Sequence, residues 1–300
     1  MPLIRFVSVE KGNFLYFFFI FLLLFLVVFF RLIAKNRGQA WTRKFILALM
    51  WGNFILHFAK QLNPCYLMNF PFSFGRSSLE NLCAVLICIS PFIFLWGNDY
   101  LKDYVFYLGI VSGVLVYFLP TGALGKDLGD MDNLLEAIRF YSCHAPLVIC
   151  GFLMVDRGLH KLNYHRLWAV PITFVAINFL VVLNAFFMSF VIRYPDWPHT
   201  LEAFFDRDGF VNQSASFGPP TSLDSIIGWA YPYLPPILMT IRIDGVIYFT
   251  PSLYLLLPVA LATLILGPLM SLPYERRHFL LDREAMKQKK AMKKKAVALP

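Results

Sequence analysis

Long apolar runs, separated by short polar or charged segments, recur along the whole chain. A helix needs about 20 mostly apolar residues to cross a bilayer, where a helix satisfies all of its own backbone hydrogen bonds. The runs predict about seven transmembrane helices, near 14–30, 45–62, 79–96, 104–119, 137–155, 168–192 and 247–270. The expected fold class is therefore all-α, a polytopic membrane helix bundle.

The section 193–246 interrupts this pattern, because it is rich in proline and mildly acidic. Its apolar part, 223–239, is broken by several prolines and predicts an interfacial or re-entrant segment within a long outer loop. We therefore expect a single transmembrane bundle over 1–274 and a basic cytoplasmic tail over 275–300.

The distribution of charge predicts how the bundle is oriented. Basic residues are concentrated after the first span, after the fifth span and in the tail, whereas the other connections are neutral to acidic. By the positive-inside rule, this places the N-terminus outside and the C-terminus in the cytoplasm.

Composition supports the same class. The chain is 58% hydrophobic and only 15% charged, as a multi-pass integral membrane protein would be. The net charge of +9 lies beside apolar runs, so we expect a membrane and no nucleic acid as its partner. The plasma membrane is the expected location if the source is bacterial.

Polar side chains inside the second span share one helix face. Asn53, His57 and Gln61 recur at every fourth residue, a spacing that places them on one side of a helix. Polar residues within a membrane normally point into the bundle, because exposure to lipid is costly. We therefore expect this stripe to face the other helices.

Two residues with chemical potential are predicted at similar depth. Cys83 lies near the start of the third span and His144 lies in the fifth, and both spans run inward from the outer side. At 1.5 Å per residue, both side chains fall roughly 6–10 Å below the outer end. His57 and Asn184 reach a similar depth from outward-running spans.

A thiol beside an imidazole is suited to acyl transfer. The thiolate is the nucleophile, and the imidazole takes its proton. At this depth, the ester carbonyl of a phospholipid is the expected electrophile. The residues that could orient His144 or hold the oxyanion are His57, Asn184 and Asn81. The residues that could attract an anionic head group are Arg76, Lys126 and Arg139.

Other interpretations of these residues remain open. Cys83 can be a small apolar packing residue, and His144 can hydrogen-bond a neighbouring helix. The polar cluster could instead line the pathway of a non-enzymatic carrier or channel, and the same Cys/His pair could serve a lipid hydrolase. The Cys spacing matches no common metal motif, so we expect no metal and no cofactor. The sequence leaves the oligomeric state open.

Several short motifs resemble one known family. SLENLC, ending at Cys83, and IRFYSCH, ending at His144, are similar to its L-P-L-x-L-C and F-x-x-x-H signatures. FLPTGALG over 118–125, NAFFM from Asn184 and PTSLDSIIGWAYPYLPP from Pro220 are similar to further motifs in the same order. The family is that of the YwaF-like integral membrane proteins, relatives of transmembrane protein 164.

The resemblance covers about 53–258 and implies a multi-span enzyme. In that family Cys83 would form an acyl-thioester and His144 would act as the base. The animal relatives move a fatty acyl chain from a phospholipid to a lysophospholipid without coenzyme A. The proline of the first signature is absent here, and Asn81 stands near the cysteine. The resemblance therefore implies a phospholipid acyltransferase or transacylase.

Overall fold

The computed structural model describes Val9 and residues 11–62, 74–119, 134–239, 241–243 and 246–297. Most of these residues are helical, and five helices are long and apolar enough to cross a membrane. These are Phe14–Leu62, Asp99–Phe118, Ala137–Asp156, Ala169–Val191 and Leu253–Lys290. The expectation of a helical membrane protein is thus confirmed.

Six helical segments form the bundle. They are α1 (Phe14–Ala59), α2 (Leu82–Trp96), α3 (Asp99–Phe118), α4 (Leu134–Asp156), α5 (Ala169–Phe186) and α6 (Leu256–Val297). Apolar α2 is shorter than the spanning helices. A π-helical turn, Phe187–Val191, extends α5, and a 3-10 turn, Lys60–Leu62, extends α1.

Helix α1 contains two of the predicted spans and reverses direction between them. Gly38 has φ 78° and ψ 175°, a conformation that is open mainly to glycine. Arg31 and Gln39, on either side of it, contact the C-terminal end of α4 through Asp156 and the Arg157 carbonyl. Farther from Gly38, Phe19 stacks on Tyr141 and Asn53 reaches the Cys143 carbonyl, both toward the other end of α4. The two halves of α1 therefore run antiparallel along α4.

Helix α4 lies at the centre and packs closely on α3 as well. A Cβ added at Gly113 of α3 would lie 2.5 Å from Val148 Cγ2 and 3.3 Å from the His144 carbonyl oxygen. At Gly109 it would lie 3.0 Å from the Leu147 carbonyl oxygen. Small residues of this kind let two membrane helices approach closely. They hold the backbone of His144 against α3.

We expect Gly113→Val to lower the free energy of unfolding by about 1–3 kcal/mol, because the added methyl groups overpack this contact. Gly52→Ala is the matched control, since a Cβ there meets nothing within 4 Å. That control should be neutral or stabilising by about 0.5–1 kcal/mol. Melting curves in one detergent compare the two variants with the parent chain, and equal melting temperatures would contradict the close packing at Gly113.

The section between α5 and α6 folds into short helical turns and two short strands. It lies at the end of the helix bundle where α2 begins. The helical turns are Leu201–Phe204, Phe210–Asn212, Thr221–Leu223, Asp224–Ile227, Gly228–Tyr233, Pro236–Met239 and Leu253–Leu255. Two short strands, β1 (Ile241–Ile243) and β2 (Val246–Tyr248), pair antiparallel. The predicted segment 223–239 is thus built from short helical turns.

A separate apolar cluster supports this section. It contains Trp197, Phe204, Phe205, Val211 and Phe217, packed on residues of α5 and its π-helical extension. The last span begins at Leu256 and not near 247, because residues 246–248 pair as a strand. Helix α6 then continues past non-helical Glu275 into the basic tail.

Candidate functional site

The start of α2 presents the Cys83 thiol. Asn81 is the N-cap, and its Oδ1 accepts a hydrogen bond of 2.9 Å from the Ala84 N–H. Cys83 is therefore the second residue of the helix, and its side chain is half-buried. The positive end of the helix dipole favours an anion at this position. Asn81 thus shapes the helix start, while its Nδ2 donates to Gln213 Oε1 at 3.2 Å.

His144 is buried in α4, with 7% of its surface exposed. Its Nδ1 lies 2.7 Å from the Phe140 carbonyl oxygen, one turn earlier in the same helix. A carbonyl only accepts hydrogen bonds, so Nδ1 carries a proton, and in the neutral imidazole Nε2 then keeps its lone pair. Within the described part of the chain, Nε2 has no hydrogen-bond partner. This is the tautomer that a general base requires.

The two residues lie at comparable heights above one internal cavity. The cavity has room for about one water molecule. It is lined by Met50, Asn53, Leu86, Ile87, Ser90, Val105, Gly109, Pro146, Leu147 and Cys150. Ser90 follows Cys83 by seven residues, and Cys150 follows His144 by six. The nearest lining residues, Leu86 and Pro146, follow Cys83 and His144 by three and two residues. At 1.5 Å per residue, Cys83 and His144 therefore lie about 5 and 3 Å above the near end of the cavity, and about 10 and 9 Å above its far end.

The direction of Cys83 follows from the spacing along α2. Positions 83, 87 and 90 recur at helical spacing and share one face, and Ile87 and Ser90 of that face line the cavity. Cys83 therefore lies on the inward face of α2, on the same side as α4. No hydrogen bond between Cys83 and His144 occurs among the described residues.

The polar stripe of α1 holds the segment that leads into α2. His57 Nε2 donates to the carbonyl oxygens of Ser77 and Ser78 at 3.0 and 3.3 Å. Gln61 Nε2 donates to Ser77 Oγ at 2.8 Å. His57 was a candidate for orienting His144, and these contacts direct its Nε2 to the segment before α2. His57 instead holds the segment before Cys83.

Asn53, the first member of the stripe, contacts the other helix of the candidate pair. Its Nδ2 donates to the Cys143 carbonyl at 2.8 Å, one residue before His144. Its Oδ1 is buried without a partner in the described structure. The spacing rule identified this residue as inward-facing, but only the structure shows that it positions α4 beside His144.

Asn184 from α5 also acts on the segment before α2. Its Nδ2 donates to Ser78 Oγ at 2.9 Å, and the Ser78 hydroxyl in turn donates to the Gly75 carbonyl at 2.6 Å. The predicted orienting residues His57 and Asn184 thus meet on one short segment, and the carbonyl of Phe140 orients His144.

A buried ion pair, which the sequence analysis did not identify, completes this arrangement. Lys60 Nζ lies 2.7 Å from Glu80 Oε1, and the two side chains are 4% and 7% exposed. The sequence did contain a signal for this pair, because Lys60 lies inside a predicted apolar span. A charged side chain in such a span normally needs a partner. Glu80 stands three residues before Cys83, so the pair joins α1 to the start of α2.

Of the three residues predicted to bind a lipid head group, Arg139 is the one whose side chain the structure describes. Arg139 is partly buried, five residues before His144 and one turn before Cys143, with Nη1 4.0 Å from Cys143 Sγ. Arg76 belongs to the turn Phe74–Ser77, but its side chain lies outside the described residues, as does Lys126 altogether. Arg139 is therefore the cation that the structure places near His144.

Within the described ranges, no group of three or more His, Cys, Asp or Glu side chains could hold a metal ion. The start of α2 presents the Cys83 thiol and the backbone N–H groups of a helix N-terminus, and α4 carries the His144 imidazole.

Comparison with known proteins identifies one relationship. The model of the TMEM164 family matches residues 6–192, which include α1 to α5 with both Cys83 and His144. No curated protein and no solved structure matches the chain. The match confirms the family resemblance and covers the motifs up to residue 192, whereas the motif that starts at Pro220 lies beyond it.

Proposed function

The chain belongs to the TMEM164 family, and on that premise we propose that it is a membrane-embedded phospholipid acyltransferase, or transacylase. The proposal assigns the nucleophile to Cys83 and the base to His144. The observation that supports it best is the 2.7 Å bond from His144 Nδ1 to the Phe140 carbonyl. That bond leaves Nε2 as an acceptor at the depth of the thiol.

In the first step, His144 Nε2 takes the thiol proton and the Cys83 sulfur attacks the ester carbonyl of a donor phospholipid. The carbon–oxygen bond of the ester then breaks, and His144 returns the proton to the departing lysophospholipid oxygen. The oxyanion of the tetrahedral intermediate needs hydrogen-bond donors. At the start of α2, the N–H groups of Leu82 and Ala84 have partners, whereas that of Cys83 has none among the described residues. The Cys83 N–H is therefore the proposed donor.

In the second step, the hydroxyl of an acceptor lysophospholipid attacks the thioester carbonyl. Its proton passes to His144 Nε2, the carbon–sulfur bond breaks, and the thiolate regains the proton. The number of ester-type acyl bonds is unchanged, so the cycle needs neither coenzyme A nor another cofactor. Arg139 is the proposed contact for the lipid phosphate, since it lies five residues before His144 in the same helix and one turn before Cys143.

We propose seven membrane crossings, with the N-terminus outside and the C-terminus in the cytoplasm. The reversal at Gly38 supports two crossings in α1, and α2 supplies a short additional one. The positive-inside rule supports the direction, because the basic continuation of α6 follows the last crossing. The start of α2 then opens at the outer leaflet, where phospholipid esters are available.

The alternative of a carrier or channel has weaker support. The polar side chains expected to line a pathway instead bond to backbone groups and to serines at the start of α2. The cavity beneath them has room for about one water molecule. This arrangement favours a role for the polar side chains in positioning the helices, and not in the transport of a solute.

The direct test is an acyl adduct on the purified protein. Incubation with radiolabelled phosphatidylcholine should yield a protein-bound acyl chain that neutral hydroxylamine releases, and mass spectrometry should locate it on Cys83. Cys83→Ser should abolish the hydroxylamine-sensitive adduct. Cys88→Ser is the matched control, because that thiol is buried farther along the same helix. An adduct that persists in Cys83→Ser, or none in the parent protein, would contradict the proposal.

A further inference from the structure

A short outer segment is rigidly folded over the start of α2. Asn212 is buried in it and organises its backbone. Its Nδ2 donates to the carbonyls of Arg207 and Gly218 at 2.6 and 2.8 Å, and its Oδ1 accepts from the Phe217 N–H at 2.8 Å. We call residues 212–218 the outer cap. One buried amide thus fixes two points of the cap backbone, at Phe217 and Gly218, and joins the cap to the preceding segment at Arg207.

The outer cap is also anchored to the helices beneath it. Ser216 Oγ donates to Asn178 Oδ1 of α5 at 2.9 Å in a buried bond. The Ser252 N–H donates to the Ser216 carbonyl at 2.7 Å, and the Tyr254 hydroxyl donates to the Ala215 carbonyl. These contacts tie the cap to α5 and to the segment before α6, so its position over the bundle is set by several independent bonds.

Two side chains of the outer cap lie directly at the helix end that carries Cys83. Ser214 Oγ accepts from the Leu82 N–H at 2.6 Å, and Gln213 Oε1 accepts from Asn81 Nδ2 at 3.2 Å. Leu82 is the residue immediately before Cys83 and Asn81 is the N-cap. The cap therefore occupies the aqueous side of the α2 start.

We infer that Gln213 and Ser214 determine which acceptor reaches the Cys83 thioester, by closing the site toward outer water and leaving access from the bilayer. The inference rests on the proposed function. Water and a lysophospholipid hydroxyl would attack the same thioester carbonyl, break the same carbon–sulfur bond and pass a proton to His144 in the same way. Only access separates hydrolysis from transfer, so the residues that restrict water are specificity-determining.

The outer cap differs from the rest of the candidate site in its relation to the family model. Its match ends at residue 192, so the outer cap lies beyond the matched region. The candidate nucleophile and base therefore belong to the part shared with the family, and the two cap side chains belong to the part that the model does not match. We expect substitutions in the cap to change the acceptor and not the formation of the acyl-enzyme.

The test compares Gln213→Ala/Ser214→Ala with the parent protein in phospholipid nanodiscs that contain lysophospholipid. The ratio of released fatty acid to transferred product should rise about five-fold or more. A five-fold change corresponds to the free energy of about one hydrogen bond. Thr250→Ala is the matched control, since its hydroxyl donates to the Ile237 carbonyl away from α2. It should keep the parent ratio, and Ser214→Thr should keep most of it.

A second measurement does not depend on activity. In a protein where Cys65, Cys88, Cys143 and Cys150 are replaced by alanine, a charged, water-soluble thiol reagent should modify Cys83 about five-fold faster when the cap side chains are removed. Unchanged labelling and an unchanged product ratio, with melting temperatures equal to the parent, would overturn the role of the cap. If the parent forms no acyl adduct, the proposed function fails, and the labelling rates still decide whether the cap shields the thiol.

Discussion

Replacing His144 by glutamine should slow acylation of Cys83 by about 10²–10⁴-fold, the usual contribution of a general base. Glutamine preserves polarity and approximate size but offers no basic nitrogen in place of Nε2. The hydrogen bond from Nδ1 to the Phe140 carbonyl selects the tautomer in which Nε2 is the basic nitrogen of the neutral imidazole. Single-turnover acylation with labelled phospholipid in nanodiscs measures the effect on the chemical step alone.

His57→Gln is the matched control for this result. His57 Nε2 donates to the carbonyls of Ser77 and Ser78, and a glutamine amide can supply the same kind of donor. We therefore expect this variant to retain acylation within about ten-fold, because its role is to hold a segment by hydrogen bonds. If His57→Gln lost as much activity as His144→Gln, or if His144→Gln acylated normally, the assignment of the base would be wrong.

Lys60→Met should destabilise the protein by about 3–5 kcal/mol, because it leaves the Glu80 carboxylate buried and without its ion pair. The pair is short, 2.7 Å, and both side chains are almost fully buried. Glu80 lies three residues before Cys83, so acylation should fall together with stability. Melting in a single detergent, with acylation measured on the folded fraction, separates the two effects.

Two further variants make this prediction specific. In Lys60→Met/Glu80→Leu no charge remains, and replacing a buried pair by apolar residues is often neutral, so much of the lost stability should return. Arg31→Met removes the 3.0 Å pair with Asp156, in which the Arg31 side chain is 58% exposed. An exposed pair of this kind contributes at most about 1 kcal/mol. Equal melting of Lys60→Met and Arg31→Met would show that the Lys60–Glu80 pair is not the stronger one.

The close contact between α3 and α4 affects the site as well as the fold. Gly113 allows α3 to pack on the His144 backbone, and Asn53 holds the neighbouring Cys143 carbonyl from the opposite direction. His144 is therefore positioned by a helix contact on one side and a side-chain hydrogen bond on another. Among the described residues, these two contacts hold the part of α4 that carries the proposed base.

Most of the helices and both candidate reactive residues could be predicted from local patterns. Apolar run length identifies spans because a buried backbone in lipid must be helical. The spacing of Asn53, His57 and Gln61 identified an inward face because helical periodicity is a property of the segment itself. The family match confirms the resemblance carried by the motifs around Cys83 and His144.

The partners of those residues depended on the tertiary structure. His57 and Asn184 were expected to orient His144, yet both contact the segment 77–78, and the Phe140 carbonyl orients the imidazole. The last span begins at Leu256 because the preceding apolar residues pair as a strand. Neither result could be read from spacing, because each depends on which other segment packs nearby.

By itself, the sequence determined that this is a helical membrane protein, which residues of its spans face inward and which of them carry a thiol or an imidazole. The tertiary structure alone decided that α1 folds back at Gly38, that Lys60 pairs with Glu80, and that Ser214 reaches the start of α2. The physical reason is that periodicity and hydropathy act within one segment. Hydrogen bonds and ion pairs in a bundle form between residues that are distant in the chain, and their choice is made by packing.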